Sequence, residues 1–502
     1  MVGQVCVIIT YKFDSIKIHR KILNKFFWYK KWHSKKFHNI FHWIIFLVIT
    51  GLAFCVVFFG IDSSVNLEEL NVLIRVFYID PEHGDDSADG LFETSAWESF
   101  NNVSTYEFKP GDKILIKAGS RLDKRFVVSS SGKLTHPIVI SKYGQGNNPQ
   151  IFGLSIDGKS HIVVEGIDFT GVVGVAVDIS KSKNVSLKDC VFGKNRGETL
   201  IISNSSKIRI VGNLFTENNV AQEGMGGYVI RATGDSDIQI FQNEITKNTG
   251  NAIYLEDTDG AKIIENQITE NSFSGIVDVN LRDVAIEKNI VAENGQAGGD
   301  YFGIFINFTK EAVIIKNQIS TQLGKGAVSL NDSQKVLFAT NILYGNQLSG
   351  IIAENVDDLK LYNNTVYGLG GSLTRTGLAL SEIKSGEVFN NIVYDILGYA
   401  VQLQGENDLK MDYNNLGAAV GIASVGDKSY KDIAEYQAQT GYGQHSVSQD
   451  PKFKNIFTKD FYLTKESQLI NAGTKSLVVV DFDGQAIPQG IAPDIGAFEF
   501  IQ

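Results

Sequence analysis

The chain has 502 residues, 43% of them apolar and 20% charged, with 49 Gly, 7 Pro, 3 Cys and a net charge of -10. This is enough apolar matter for a large core, too little proline for a linker-rich chain, and no basis for a disulfide framework, since only Cys190 follows the first 60 residues. Acid dominates after residue 60 and no basic stripe follows residue 40, which excludes nucleic acid as a natural partner.

In chain order, residues 1–40 carry nine Lys/Arg against Asp14 alone. With that arm at +8 and the whole chain at -10, the remainder carries -18, because residues 41–60 hold no charged side chain. Trp43 to Gly60 is a run of eighteen apolar or small residues, close to the ~20 that span a bilayer core. Positive charge before the run and acid after it predict one membrane-spanning helix with a cytoplasmic N-terminus and the body outside. A cleaved signal would have a shorter apolar run, so an anchor is preferred to cleavage.

The body opens at about residue 76, and from Ile162 onward a unit repeats. In IRIVGNLF, IQIFQNEI, AKIIENQI, VAIEKNIV, AVIIKNQI, VLFATNIL, LKLYNNTV, GEVFNNIV and LKMDYNNL the sixth residue is always Asn, from Asn213 to Asn414, and Ile167 and Cys190 take that slot in two earlier units. The spacings are 23, 23, 30, 23, 23, 28, 24, 23, 27 and 23. Short alternating strands at this period predict a parallel β-solenoid of stacked coils, eleven of which would make a rod roughly 50 Å long. The Asn column is read as fold rather than site: a bend residue that tolerates left-handed backbone and bonds to its copies above and below.

Three coils exceed 23 residues by four or more, through insertions at Thr216–Gly227, Val291–Gly303 and Tyr367–Gly377. All three fall at one phase, so they should flank one face, about 14 Å apart, and wall a groove suited to an extended polymer. The strands beside them expose Asp178, Ser203, Arg231, Tyr254, Glu256, Phe305, Asn307, Glu354, Ser381, Gln402 and Gln404. Arg231, Tyr254 and Glu256 are the catalytic candidates, and Phe305, Asn307 and Glu354 the substrate-binding ones. In an eliminating enzyme Arg231 would neutralise a uronate carboxylate while Tyr254 or a nearby Lys takes the adjacent proton; in a hydrolase Glu256 and Asp278 would pair one coil apart. A solvated polar column is the alternative reading of the same residues.

No cofactor and no metal site are expected. The run Glu256 to Gly260 carries oxygens a calcium ion could use, but Asp-Gly is ordinary turn chemistry and the turn is preferred. Histidine chemistry lacks partners in the coils, where only His136 and His161 occur, both early.

The repeat resembles the right-handed parallel β-helix superfamily that includes pectate lyases. The segments Tyr78 to Gly90 with Trp97, Lys109 to Gly119, Ser131-Gly132, Pro137 to Ile140, Tyr143-Gly144 and Pro149 to Gly153 are similar to the opening of extracellular members. Asp450 to Phe453, Asp460 to Leu463, Ile470 to Gly473, Asp483-Gly484 and Pro493 to Glu499 resemble the closing module of bacterial surface members. The resemblance spans residues 75–500 and implies an all-β, right-handed parallel β-helix preceded by one transmembrane helix. It divides the chain into a basic cytoplasmic arm (1–40), an anchor (41–60), a linker (61–75), an opening segment with the first coils (76–160), regular coils (161–416) and a closing module (417–502).

It further implies a membrane-anchored, extracytoplasmic protein that binds a polysaccharide or cell-surface glycan, with lyase, hydrolase or epimerase activity open. A non-enzymatic surface scaffold or adhesin is the alternative. The catalytic sets of polygalacturonases, pectate lyases and alginate epimerases have no counterpart here, so no catalytic residue is carried over.

Overall fold

The computed structural model describes residues 74–219, 227–368 and 374–501. The basic arm and the apolar run Trp43–Gly60 lie outside the described residues, as do parts of two of the three insertions. Among the described residues no helix is long and apolar enough to cross a membrane.

Three long sheets, parallel except for the antiparallel last strand of one, wind around one core. Sheet A has fourteen strands, from Val76–Ile79 to Leu409–Asp412; sheet B has ten, from Val191–Gly193 to Asn415–Ala418; sheet C has fourteen, from Phe126–Val127 to Lys428–Tyr430. The winding therefore begins before the first aligned repeat and exceeds the eleven coils that the Asn pattern marks. Period-2 alternation explains the core: in Ser206–Val211, Ile208 and Ile210 point inward, between Val185 and Leu187 on one side and Ile238 and Ile240 on the other. Like stacks on like, as when Phe169, Phe192 and Phe215 pile ring on ring at 4.9 and 4.4 Å inside the solenoid.

The Asn column forms a ladder, with a shift of one residue from the expected geometry. The left-handed backbone belongs to the preceding residue, such as Gly212, Gln242, Glu265 or Lys288. The Asn itself points inward and bonds both the next coil and its own turn. The Asn243 backbone N–H and Nδ2 both donate to Asn266 Oδ1 at 3.0 Å, while Asn266 Nδ2 donates to the Ile240 carbonyl at 2.9 Å. A buried bend thus leaves few backbone groups without a partner.

A second ladder, which the sequence reading misses, runs through Asn195, Asn218, Asn248, Asn271, Asn294, Gln322 and Asn346. It sits between sheets B and C, and its signal is an Asn, or once a Gln, five residues after each slot of the first ladder from Cys190 to Asn341.

Beyond the last coil, helix Ile433–Thr440, capped by Asp432 and by Gly441 at φ 77°, buries Tyr436 against the end of the core. The closing segment then runs back along the outside of sheet B. Phe461 packs on Tyr344 and Tyr367, Leu463 and Ile495 gather around Ile392, and the Asn363 Nδ2 donates to the Asp494 carbonyl at 3.2 Å. This cover explains why the outward positions of Ile342–Tyr344 and Thr365–Tyr367 are buried and, Thr365 apart, apolar or aromatic, whereas Glu244 and Gln267 on earlier strands of the same sheet are exposed.

Candidate functional site on the outer face of sheet C

Sheet C presents its outward side chains in two parallel columns. Register places Ile201, Arg231, Tyr254, Val277, Phe305 and Ser329 in one, and Thr233, Glu256, Val279, Asn307, Asn331 and Glu354 in the other. Arg231, Tyr254 and Glu256 therefore share two adjacent coils. Phe305 and Asn307 lie two coils beyond Tyr254, and Glu354 is four coils from Glu256, roughly 19 Å along the solenoid. The six candidates share one face without forming one compact constellation.

Two partners of the cluster, and one aromatic contact on the next two coils, are invisible in the sequence. Glu198, from the turn before Leu200–Ser203, holds Arg231 in an ion pair at 3.2 Å. Tyr228 lies under the Arg231 guanidinium at 5.5 Å and against Tyr254, with ring centroids 4.3 Å apart. The described insertion contributes Tyr301, whose ring stacks on Phe273 at 4.6 Å and 11°. The result is a half-exposed band of aromatic rings running across the coils, edged by an Arg–Glu pair.

Two expected roles need correction. Burial, with the charge and hydrogen bonding of Glu256, pushes the Tyr254 hydroxyl up to about 12, so it keeps its proton at neutral pH and is poorly suited to serve as a base. Asp278 cannot pair with Glu256, because it points into the core between Leu255 and Ile306 and leaves Val277 and Val279 on the outer face. Either phase of this strand carries a misfit, and continuing the register of the flanking coils imposes the one with the acid inside.

The other carboxylates have structural surroundings. Burial raises Asp178 above the usual carboxylate range. The run Glu256 to Gly260 is a corner between sheets C and A, with Asp257 and Gly260 in the left-handed region and Asp257 accepting from Asn280 at 2.5 Å. Among the described residues no group of His, Cys, Asp and Glu is gathered to hold a metal ion. Histidine does find a partner on a late coil, contrary to expectation. The closing segment brings His445 to Asp412, with Nδ1 at 2.7 Å from the carboxylate and the ring stacked on Tyr413. A tertiary contact across 33 positions supplies what the coil sequence lacks.

Residues 152–303 and 302–430 match the family described as right handed beta helix region. The match covers more than half of the chain, so the chain belongs to that family. No curated protein matches it. Among solved structures it is similar to pectate lyase Pel9A, at 17% identity over 85% of this chain and 96% of that one, with a TM-score of 0.40. It is also similar to the PL6 family alginate lyase AlyGC (14% identity, 76% and 58% coverage, TM-score 0.45) and to the GH136 lacto-N-biosidase from Eubacterium ramulus (12%, 70% and 68%, TM-score 0.40).

Proposed function

We propose that the outer face of sheet C binds an extended glycan across its coils. The observation that carries this reading is the aromatic band of Tyr228, Tyr254, Phe273, Tyr301 and Phe305 beside the Arg231–Glu198 pair. Exposed flat rings offer the apolar faces on which sugar rings pack, and the polar column supplies donors and acceptors for hydroxyls. The net acidity of the chain favours a glycan with little negative charge. Processing of the bound chain would fall to Arg231, Tyr254 and Glu256. With Tyr254 a proton donor, acid-assisted cleavage suits the cluster better than base-initiated elimination.

The same proposal holds the body at a membrane surface through Trp43–Gly60, with the basic arm on the cytoplasmic side. The test is mass spectrometry of the products after incubating the protein with neutral and uronate polysaccharides, alongside direct binding measurements. Hydrated fragments lost in Glu256→Ala support hydrolysis, and unsaturated fragments would establish a lyase instead. Binding without products, weakened in Tyr254→Ala, leaves a glycan-binding surface protein. No binding to any polymer removes the proposal and favours the scaffold alternative.

A further inference from the structure

Where sheet C turns into sheet A, each coil sets one residue in the left-handed region. Lys181, Asn204, Gly234, Asp257, Asn280, Asp332 and Asn355 fill this slot on other coils, and all are glycine, Asn, Asp or a flexible charged residue. Phe308 breaks the series, at φ 53°. A bulky side chain gains nothing there from backbone ease. It gains nothing from the core either, since it is 57% exposed. An aromatic ring kept outside, on strained backbone, is the pattern expected where the ring has a ligand.

The surroundings fit that expectation. Phe308 lines a groove of about 500 Å³. On one wall Arg282, Lys310 and Gln334 stand in register on successive coils. Elsewhere on the solenoid, lysines pair with acids on neighbouring coils, as Lys188 does with Glu165 and Lys335 with Glu311. Among the described residues Arg282 and Lys310 form no close ion pair and no side-chain hydrogen bond, although both act on Glu311 through their charge. On the other wall Asp257 and Asp332 are held by Asn280 and Asn355, at 2.5 and 2.6 Å, through one carboxylate oxygen each.

We propose that the Phe308 corner is a second carbohydrate subsite, which takes a neutral pyranose ring. The C–H face of the sugar packs on the phenyl ring. Adjacent hydroxyls bridge a carboxylate that accepts and a cation that donates. The cations are offset by the aspartates lining the groove, which is why an uncharged sugar fits better than a uronate. The subsite stands on observations separate from the sheet C band, although Phe308 directly follows Asn307 and a glycan could pass from one to the other.

The experiment is calorimetric titration of the full chain with cellohexaose, mannohexaose and xylohexaose, with hexagalacturonate as the charged probe. Three variants are compared with wild type: Phe308→Asn, Arg282→Gln and Tyr254→Ala. The expected result is binding of a neutral hexaose that Phe308→Asn and Arg282→Gln each weaken by about tenfold, the scale of one lost aromatic or charged contact. Asn tolerates the corner conformation, so Phe308→Asn should melt no lower than wild type, and Arg282→Gln decides the matter should it do so. Wild-type affinity in both variants overturns the subsite, while loss in Tyr254→Ala alone leaves the sheet C reading standing. Binding of hexagalacturonate only, or of no oligosaccharide, also overturns it.

Discussion

Asp278 is the in-register partner of Leu255 on the inner face of sheet C, and neither of its carboxylate oxygens has a hydrogen-bond partner. Burial alone pushes this carboxyl from 3.8 up to about 8. Between those values the folded chain holds a proton that the unfolded chain has released, so stability falls as pH rises and levels off above the folded value. The full span is on the order of 5 kcal/mol. Asp278→Leu should therefore be more stable than wild type by several kcal/mol at about pH 8.5, with a gap that narrows towards about pH 5. Asp278→Asn should lose most of the pH dependence. Urea midpoints at the two pH values check both, and equal shifts at each would refute the assignment.

The Asn ladder predicts an uneven cost. Asn266→Ala removes the acceptor shared by the Asn243 N–H and amide, together with the donor to the Ile240 and Ile264 carbonyls. All but the Ile264 carbonyl are buried, so the loss should be about 3 kcal/mol or more, well above the value of one exposed hydrogen bond. Equilibrium unfolding of the variant, beside an exposed control such as Gln267→Ala, measures the difference.

The closing segment should detach before the coils unfold. Phe461→Ala opens a void against Tyr344, Tyr367 and Phe453 and should cost about 3 to 5 kcal/mol in docking. Limited proteolysis should then cut within residues 447–500 while far-UV circular dichroism stays β-rich. Cleavage spread evenly over the coils would show instead that the segment and the solenoid unfold together.

Cys190 should be inert in the folded protein. Its thiol is fully buried, and desolvation pushes it up to about 12, leaving almost no thiolate near neutral pH. Peptide mapping after iodoacetamide treatment should find residue 190 unmodified until denaturant is added. Labelling at the rate of an exposed thiol would contradict the packing of the ladder slot that it shares with the asparagines.

The periodicity of the chain determined most of the fold. Strand alternation and the Asn spacing identified the coils and the inward faces, because each coil repeats the same local physics and stacking only copies it. The two columns that hold Arg231, Tyr254 and Phe305, and Glu256 and Asn307, were legible for the same reason, since register along one sheet follows from the period. Tertiary structure alone decided the rest. Glu198 reaches Arg231 from a turn outside the repeat pattern, His445 reaches Asp412 from the closing segment, and Phe461 covers tyrosines that the pattern would expose. The phase of Asp278 was undecidable locally, because both faces of Ile276–Val279 carry a misfit, and continuity with the neighbouring coils settled it. Period fixes what repeats, while a site depends on departures from the repeat, and those are set by contacts between segments distant in sequence.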